Sequence, residues 1–380
     1  GENESRYRML ETIREFAGQK LQETDEEAEL RARHVEFYAA FAERAQKGIY
    51  STQQAEWFKR LDQEVDNLRA ALDWHASSLN EQKRYGLRSL AQNQFLIISS
   101  LSLFWERGYR SEIIETLKKM LSLDAQDEPT AEKATALDVG GFLLWSLNRL
   151  EEARAFLEES IRIAQQLKDD SLLVWPLMYL GWTFWGLKEY ERAREYLERS
   201  LSIASSLGES GRGAVAVAMA YLGDIPYAQG NLAKARKVYE EAISMLRDLG
   251  NPSMLSPSLR RLAYVEVRET KFDKAVSLFN ESLESNLQLG HQHGTIACLA
   301  GFAAVHLAKG NIEHAAVLYG CIENLLEQLG SPLLFTDTVE YERSVAHLQQ
   351  RLDEQILSRA WSKGGKMTLD QAIKLARKEL

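Results

Sequence analysis

Between Thr130 and Gly330 apolar residues recur at helical spacing, and the pattern itself then recurs. Gly141, Gly181, Gly223, Ala263 and Ala303 form one column, with steps of 40, 42, 40 and 40 residues. Ala153, Ala193, Ala235, Ala275 and Ala315 form a second, and Leu157, Leu197, Tyr239, Phe279 and Tyr319 a third. A fourth column, Leu167, Leu207, Leu249, Leu289 and Leu329, is followed by Gly208, Gly250, Gly290 and Gly330 in the last four units. Each unit reads as two antiparallel helices, A and B, the second closed by its glycine in the last four. Such helices approach closely only where a side chain is missing, so their crossing requires Gly or Ala while its flanks require bulk.

The small residue, the second small residue and the bulky residue after it resemble the signature of a tetratricopeptide repeat (TPR) helix pair. The period departs from the usual about 34 residues. The additional residues fall near the end of helix B (Ser200–Gly208, Ile243–Gly250), which predicts longer helices. With only 6 Pro in 380 residues, the expected fold is all-α: a right-handed TPR-like superhelix of six helix pairs over residues 86–330. The first pair is degenerate. Trp105, Gly108 and Leu117 stand 40 residues before Trp145, Asn148 and Leu157, but Leu101 and Ile113 replace the small residues. Residues 11–85 read as a helical linker. Residues 331–380, with amphipathic stretches at Glu340–Leu357 and Thr368–Leu380, read as a C-terminal cap.

Three N-terminal strings carry a second resemblance: YRMLETIREFA, RHVEFYAAFAERA and WFKRLDQEVDNLRAALDW at Trp57–Trp74. They are similar to the junction that follows the nucleotide-binding and winged-helix modules of bacterial STAND regulators (signal transduction ATPases with numerous domains), in their NB-ARC-linked TPR family. The resemblance implies that residues 1–10 are the remnant of a winged helix and that the nucleotide switch precedes this stretch. It also implies that the remainder senses an inducer and acts on those modules of the same full-length chain.

A formal net charge of −9 gives no general attraction to nucleic acid or to an anionic membrane. The longest apolar run, Phe95–Trp105, is broken by serines and too short to span a bilayer. Cys298 and Cys321 read as buried free thiols of a reducing, cytoplasmic setting.

The sequence offers no catalytic constellation. Gly365-Lys366 lacks the upstream glycine and the following Ser or Thr of a phosphate loop. His291 and His293 lack the further ligands a metal needs. Neither an enzyme, a cofactor nor a metal is expected.

Candidate chemistry lies on the inner face of the A helices. In the TPR pattern, positions three before, one after and four after the crossing residue face the concave groove. They bring forward Phe142 and Trp145, Met178, Trp182 and Trp185, Asp224 and Tyr227, and Arg260 and Tyr264, with Trp175, Arg261 and Arg268 adjoining. The groove therefore has an aromatic half and a cationic half, suited to a peptide or protein segment, or to a small amphipathic molecule with an anionic group. Pro226 predicts a kink that would turn Asp224 towards the groove as a polar anchor. If Trp182 projects into the groove, its truncation should leave the fold intact. An inner wall packed against itself is the bland alternative. The expected function is a non-catalytic ligand or partner sensor; the alternative is a constitutive TPR scaffold.

Overall fold

The computed structural model describes residues 11–22, 26–51, 53–73, 90–123, 128–333 and 336–378, and among them every regular element is a helix. The winged-helix remnant expected at residues 1–10 lies outside the described residues. Helices α1 (Glu11–Gln22), α2 (Glu27–Ile49) and α3 (Gln54–Asp73) come first, then α4 (Leu90–Ser100), α5 (Ser102–Glu106) and α6 (Arg110–Leu123). Five antiparallel pairs follow: α7 (Ala131–Ser146) with α8 (Leu150–Leu167), α9 (Val174–Gly186) with α10 (Tyr190–Ser206), and α11 (Arg212–Ala228) with α12 (Leu232–Leu249). The fourth is α13 (Pro252–Arg268) with α14 (Phe272–Leu289), and the fifth α15 (Gln292–Ala308) with α16 (Ile312–Leu329). The chain ends with α17 (Thr336–Arg351), α18 (Glu354–Gly364) and α19 (Leu369–Ala376).

The columns pack as their spacing predicts. A Cβ on Gly141 would stand 2.6 Å from Leu157, one on Gly181 2.8 Å from Leu197, and one on Gly223 2.6 Å from Tyr239. Each crossing glycine thus lies beneath the bulky residue of its own unit. Gly250, Gly290 and Gly330 end their B helices at φ of 63°, 63° and 64°, the left-handed conformation that a helix C-terminus favours and that costs glycine least. A polar stitch supplements the apolar contacts. Ser160 Oγ donates to Ala134 O, Ser200 Oγ to Val174 O and Ser282 Oγ to Ser256 O, each time from a buried B-helix serine to the A helix of the same unit. In the degenerate unit that precedes the five pairs the A helix is interrupted at Leu101, the position where the later units have their small residue. Leu101 is wholly buried, so its bulk is accommodated by a break rather than by a close crossing.

The termini close the array in two ways. Helices α18 and α19 cover α16, where a Cβ on Gly320 would stand 2.6 Å from the Trp361 backbone. Helix α17 instead turns inwards and lies along the A helices α11, α13 and α15. At the other end α3 packs on α14, and Ser253 Oγ donates to Gln54 Oε1 over 2.8 Å. The N-terminal helices are thereby brought against the fourth unit, far away in sequence.

Candidate functional site

Where the N-terminal helices meet the A helices the structure leaves a cavity of about 180 Å³. One wall is aromatic. Phe142 and Trp145 come from α7, Trp175, Tyr179 and Trp182 from α9, Tyr221 from α11, and Tyr50 and Phe58 from the N-terminal helices. The rings already touch one another, with centroids 5.0 Å apart for Phe142 and Tyr179, 4.9 Å for Trp145 and Trp182, and 3.9 Å for Trp182 and Tyr221. The opposite wall is polar and includes Glu106, Arg107, Arg260, Arg261, His291, His293, Thr336 and Asp337.

Most of those polar groups are held by one another. Arg260 donates through Nε and Nη2 to Asp337 of α17, the shortest contact being 3.0 Å. Arg261 Nε donates to Asp224 at 2.9 Å, and the same carboxylate accepts the hydroxyls of Tyr239 and Thr336, each at 2.7 Å. His291 Nε2 lies 3.0 Å from Glu106. Burial alone would raise the Glu106 carboxyl, but the field of His291, with Arg110 and His293 behind it, holds it at about 2. Burial lowers His293 to about 4. The ring is thus neutral at pH 7, and because Pro332 O can only accept, its Nε2 carries the proton it donates there over 2.7 Å.

Half of the twelve side chains singled out from the sequence come together here: Phe142, Trp145, Trp175, Trp182, Arg260 and Arg261 all line the cavity. The other six do not. Met178 is wholly buried in the apolar core, and Trp185 packs edge-on to Tyr190. Tyr264 is wholly buried and meets Phe279 edge-on. Asp224 is wholly buried in its ion pair with Arg261 rather than turned towards a ligand. Tyr227 donates to Glu340 over 2.6 Å, and Arg268 donates to the same carboxylate over 3.0 Å. The cationic half of the groove is therefore largely covered by α17, whose Asp337 and Glu340 take up Arg260 and Arg268. Trp182, at 5% exposure, is at once cavity wall and core. Its truncation should thus cost about 3–5 kcal/mol of stability, contrary to the expectation of an intact fold.

Sequence reasoning missed Tyr50, Phe58, Glu106 and Arg107, which reach the cavity only because the array curls back on its N-terminal helices. It also missed Tyr221, whose ring lies flat beneath the Arg261 guanidinium at 4.2 Å. A signal for α17 was present: two carboxylates, Asp337 and Glu340, three residues apart, match the arginines Arg260 and Arg268 presented by α13. Among the described residues no group of three or more His, Cys, Asp or Glu is placed to hold a metal ion, and no helix is long and apolar enough to cross a membrane.

A sequence profile of the tetratricopeptide repeat matches residues 132–206 and 186–248. Over 70 residues the chain is 40% identical to proteins named as HTH-type transcriptional regulators in Mycobacterium bovis and Mycobacterium tuberculosis, a stretch that is 18% of this chain and 8% of each relative. Among solved structures it is similar to a Rap protein complexed with Competence and Sporulation Factor, at TM-score 0.52 and 14% identity over 89% of this chain and 99% of that one. It is also similar to a STAND protein with a tetratricopeptide repeat sensor from Pyrococcus horikoshii, at TM-score 0.48 and 16% identity over 93% of this chain and 55% of that one. At such identities a structural likeness speaks to fold alone. The chain contains a tetratricopeptide-repeat domain, built as helix pairs in an all-helical array.

Proposed function

We propose that this chain is the non-catalytic sensor module of a larger STAND-type signalling or transcriptional regulator, and that its inducer enters the cavity between the aromatic wall and the polar wall. The nucleotide-binding and winged-helix modules on which it would act belong to the same full-length protein, in a cytoplasmic setting. The observation that carries the reading is the cavity itself: about 180 Å³, walled by aromatic side chains from three successive A helices. A dry apolar cavity of about 150 Å³ is known to take benzene, so this one has room for a single-ring molecule or for one anchoring side chain of a peptide.

The constitutive scaffold reading asks for an open groove along the A helices. Over α11, α13 and α15 that face is already covered by α17, which favours a sensor over a scaffold. Because Thr336 and Asp337 belong both to α17 and to the cavity wall, occupancy has a direct route to this helix. The test is tryptophan fluorescence and thermal melting of the protein against a library of small molecules and short peptides, with Trp175→Ala alongside. Trp175 lines the cavity and is only partly buried, so its loss should weaken ligand with little change in melting. A ligand that binds with equal strength to Trp175→Ala places the site elsewhere and refutes the reading.

A further inference from the structure

The cavity also carries information about the charge of what it takes. Three guanidinium groups stand in its wall, and two are held by buried carboxylates. Arg260 is forked onto Asp337, and Arg261 is bonded to Asp224. Arg107 differs. Its ion pair, from Nη1 to Asp62, is long at 3.6 Å and its partner is half exposed, and the guanidinium rests over the Phe58 ring at 4.4 Å. Its Nε and Nη1 are buried with no hydrogen-bond acceptor among the described residues. Its Nη2 would lie 3.2 Å from a Cβ on Gly290, where the glycine leaves room beside it. A guanidinium with donors unsatisfied in a buried setting is an unfavourable arrangement unless something else accepts from it. The wall carboxylates give the opposite picture: Glu106 is engaged by His291 and Asp337 by Arg260, so among the described wall residues a ligand cation would meet no carboxylate without a partner.

We propose, resting on the ligand-sensing reading above, that the cavity takes a single-ring aromatic monocarboxylate, its ring against the wall of Trp175, Tyr179 and Trp182 and its carboxylate received by Arg107. The volume limits the body to about one ring. The aromatic wall favours a flat apolar face, and the planar guanidinium of Arg107 is the donor that suits a carboxylate. Arg260 and Arg261 act at one remove, holding α17 and Asp224 so that the wall keeps its shape.

Three probes of the same ring and different charge decide the matter by isothermal titration on the whole chain: phenylacetate, phenylacetamide and phenyltrimethylammonium. Phenylacetate should bind about tenfold or more tighter than the amide, the worth of one charge-assisted hydrogen bond, and the ammonium probe should bind weakest. Arg107→Gln should bring the acid down to the affinity of the amide and leave the amide unchanged. Arg107→Lys, which keeps the charge but not the planar fork, should fall between. Trp175→Ala should weaken acid and amide alike. Equal binding of acid and amide to the unaltered protein, preference for the ammonium probe, or retention of the acid preference in Arg107→Gln overturns the proposal, as does failure of all three probes to bind. If Arg107→Gln does not fold, the comparison of probes on the unaltered protein and on Arg107→Lys still decides. Loss of both acid and amide in Trp175→Ala without any acid preference would leave the cavity as the ligand site and remove only the assignment of charge.

Discussion

Replacing Asp224 by Asn should destabilise the protein severely without touching a ligand contact. The carboxylate is wholly buried and accepts from Arg261, Tyr239 and Thr336, so it ties together the third unit, the fourth unit and α17. Asparagine keeps the shape, and its oxygen can still accept from one hydroxyl. What it cannot do is neutralise Arg261, whose side chain is 6% exposed. Breaking a buried pair by removing one partner costs about 3–5 kcal/mol, and because part of the hydrogen bonding survives the expected loss is about 3 kcal/mol. The Arg247–Glu281 pair, with 52% and 42% exposure, provides the contrast: Arg247→Met should cost under about 1 kcal/mol. The double variant Asp224→Leu, Arg261→Met should lose less than Asp224→Asn, because no buried charge is left behind. Urea unfolding followed by far-UV circular dichroism and by tryptophan fluorescence measures all three, the second probe reporting whether the middle units unfold with the rest. If Asp224→Asn proves as mild as Arg247→Met, or loses ligand while keeping its stability, the carboxylate is a ligand group and the account of the node is wrong.

Gly181→Leu should cost on the order of 3 kcal/mol by overpacking, since even a Cβ there would meet Leu197 at 2.8 Å and the Ala193 carbonyl at 3.2 Å, whereas Glu191→Leu on the exposed face should melt like the parent; equal melting of the two would break the register of the columns. Thr270 holds φ of 59° at the turn between α13 and α14, so Thr270→Gly should raise stability by about 1 kcal/mol in urea titration, and a loss would show that the threonine side chain is needed there. Asp138 is buried with Oδ1 lacking a hydrogen-bond partner among the described residues, and burial raises its carboxyl well above the ordinary value. The folded state therefore keeps a proton that the unfolded state releases near pH about 3.9, and stability falls as pH rises from there through the folded value. Asp138→Asn should consequently gain in melting temperature over the parent at pH 7 and lose that gain below pH about 4; a gain independent of pH would contradict it.

The repeat was legible because close helix crossings impose a residue size at fixed positions. Gly141, Gly181 and Gly223 could be matched to Leu157, Leu197 and Tyr239 from spacing alone. Part of the aromatic wall, Phe142, Trp145 and Trp182, was legible for the same reason, since facing follows from position within an A helix, but the same rule passed over Tyr179 and Tyr221. The polar wall was not. An arginine on an inner face looks the same in sequence whether a ligand or a carboxylate of the same chain will meet it. Asp337 and Glu340, which meet Arg260 and Arg268, lie beyond the last repeat in a stretch that reads as a cap. The periodicity shows that such a helix has a face to bury, but not that it lies along α11, α13 and α15. Arg107 and Glu106 were out of reach for another reason: they stand beside Gly290 and His291 only because the helices before the repeat pack back on α14, and no local pattern encodes that closure.

Native mass spectrometry of the protein purified from its own source cells, without refolding or detergent, bears most directly on the claim that the cavity is a sensor site. A non-covalently retained small molecule is predicted, at one per chain, present on the parent protein and reduced or absent on Trp175→Ala isolated in parallel. A parent protein that carries no small molecule but holds a stoichiometric protein partner equally well with and without Trp175 would contradict the sensor reading and assign the chain to the scaffold class.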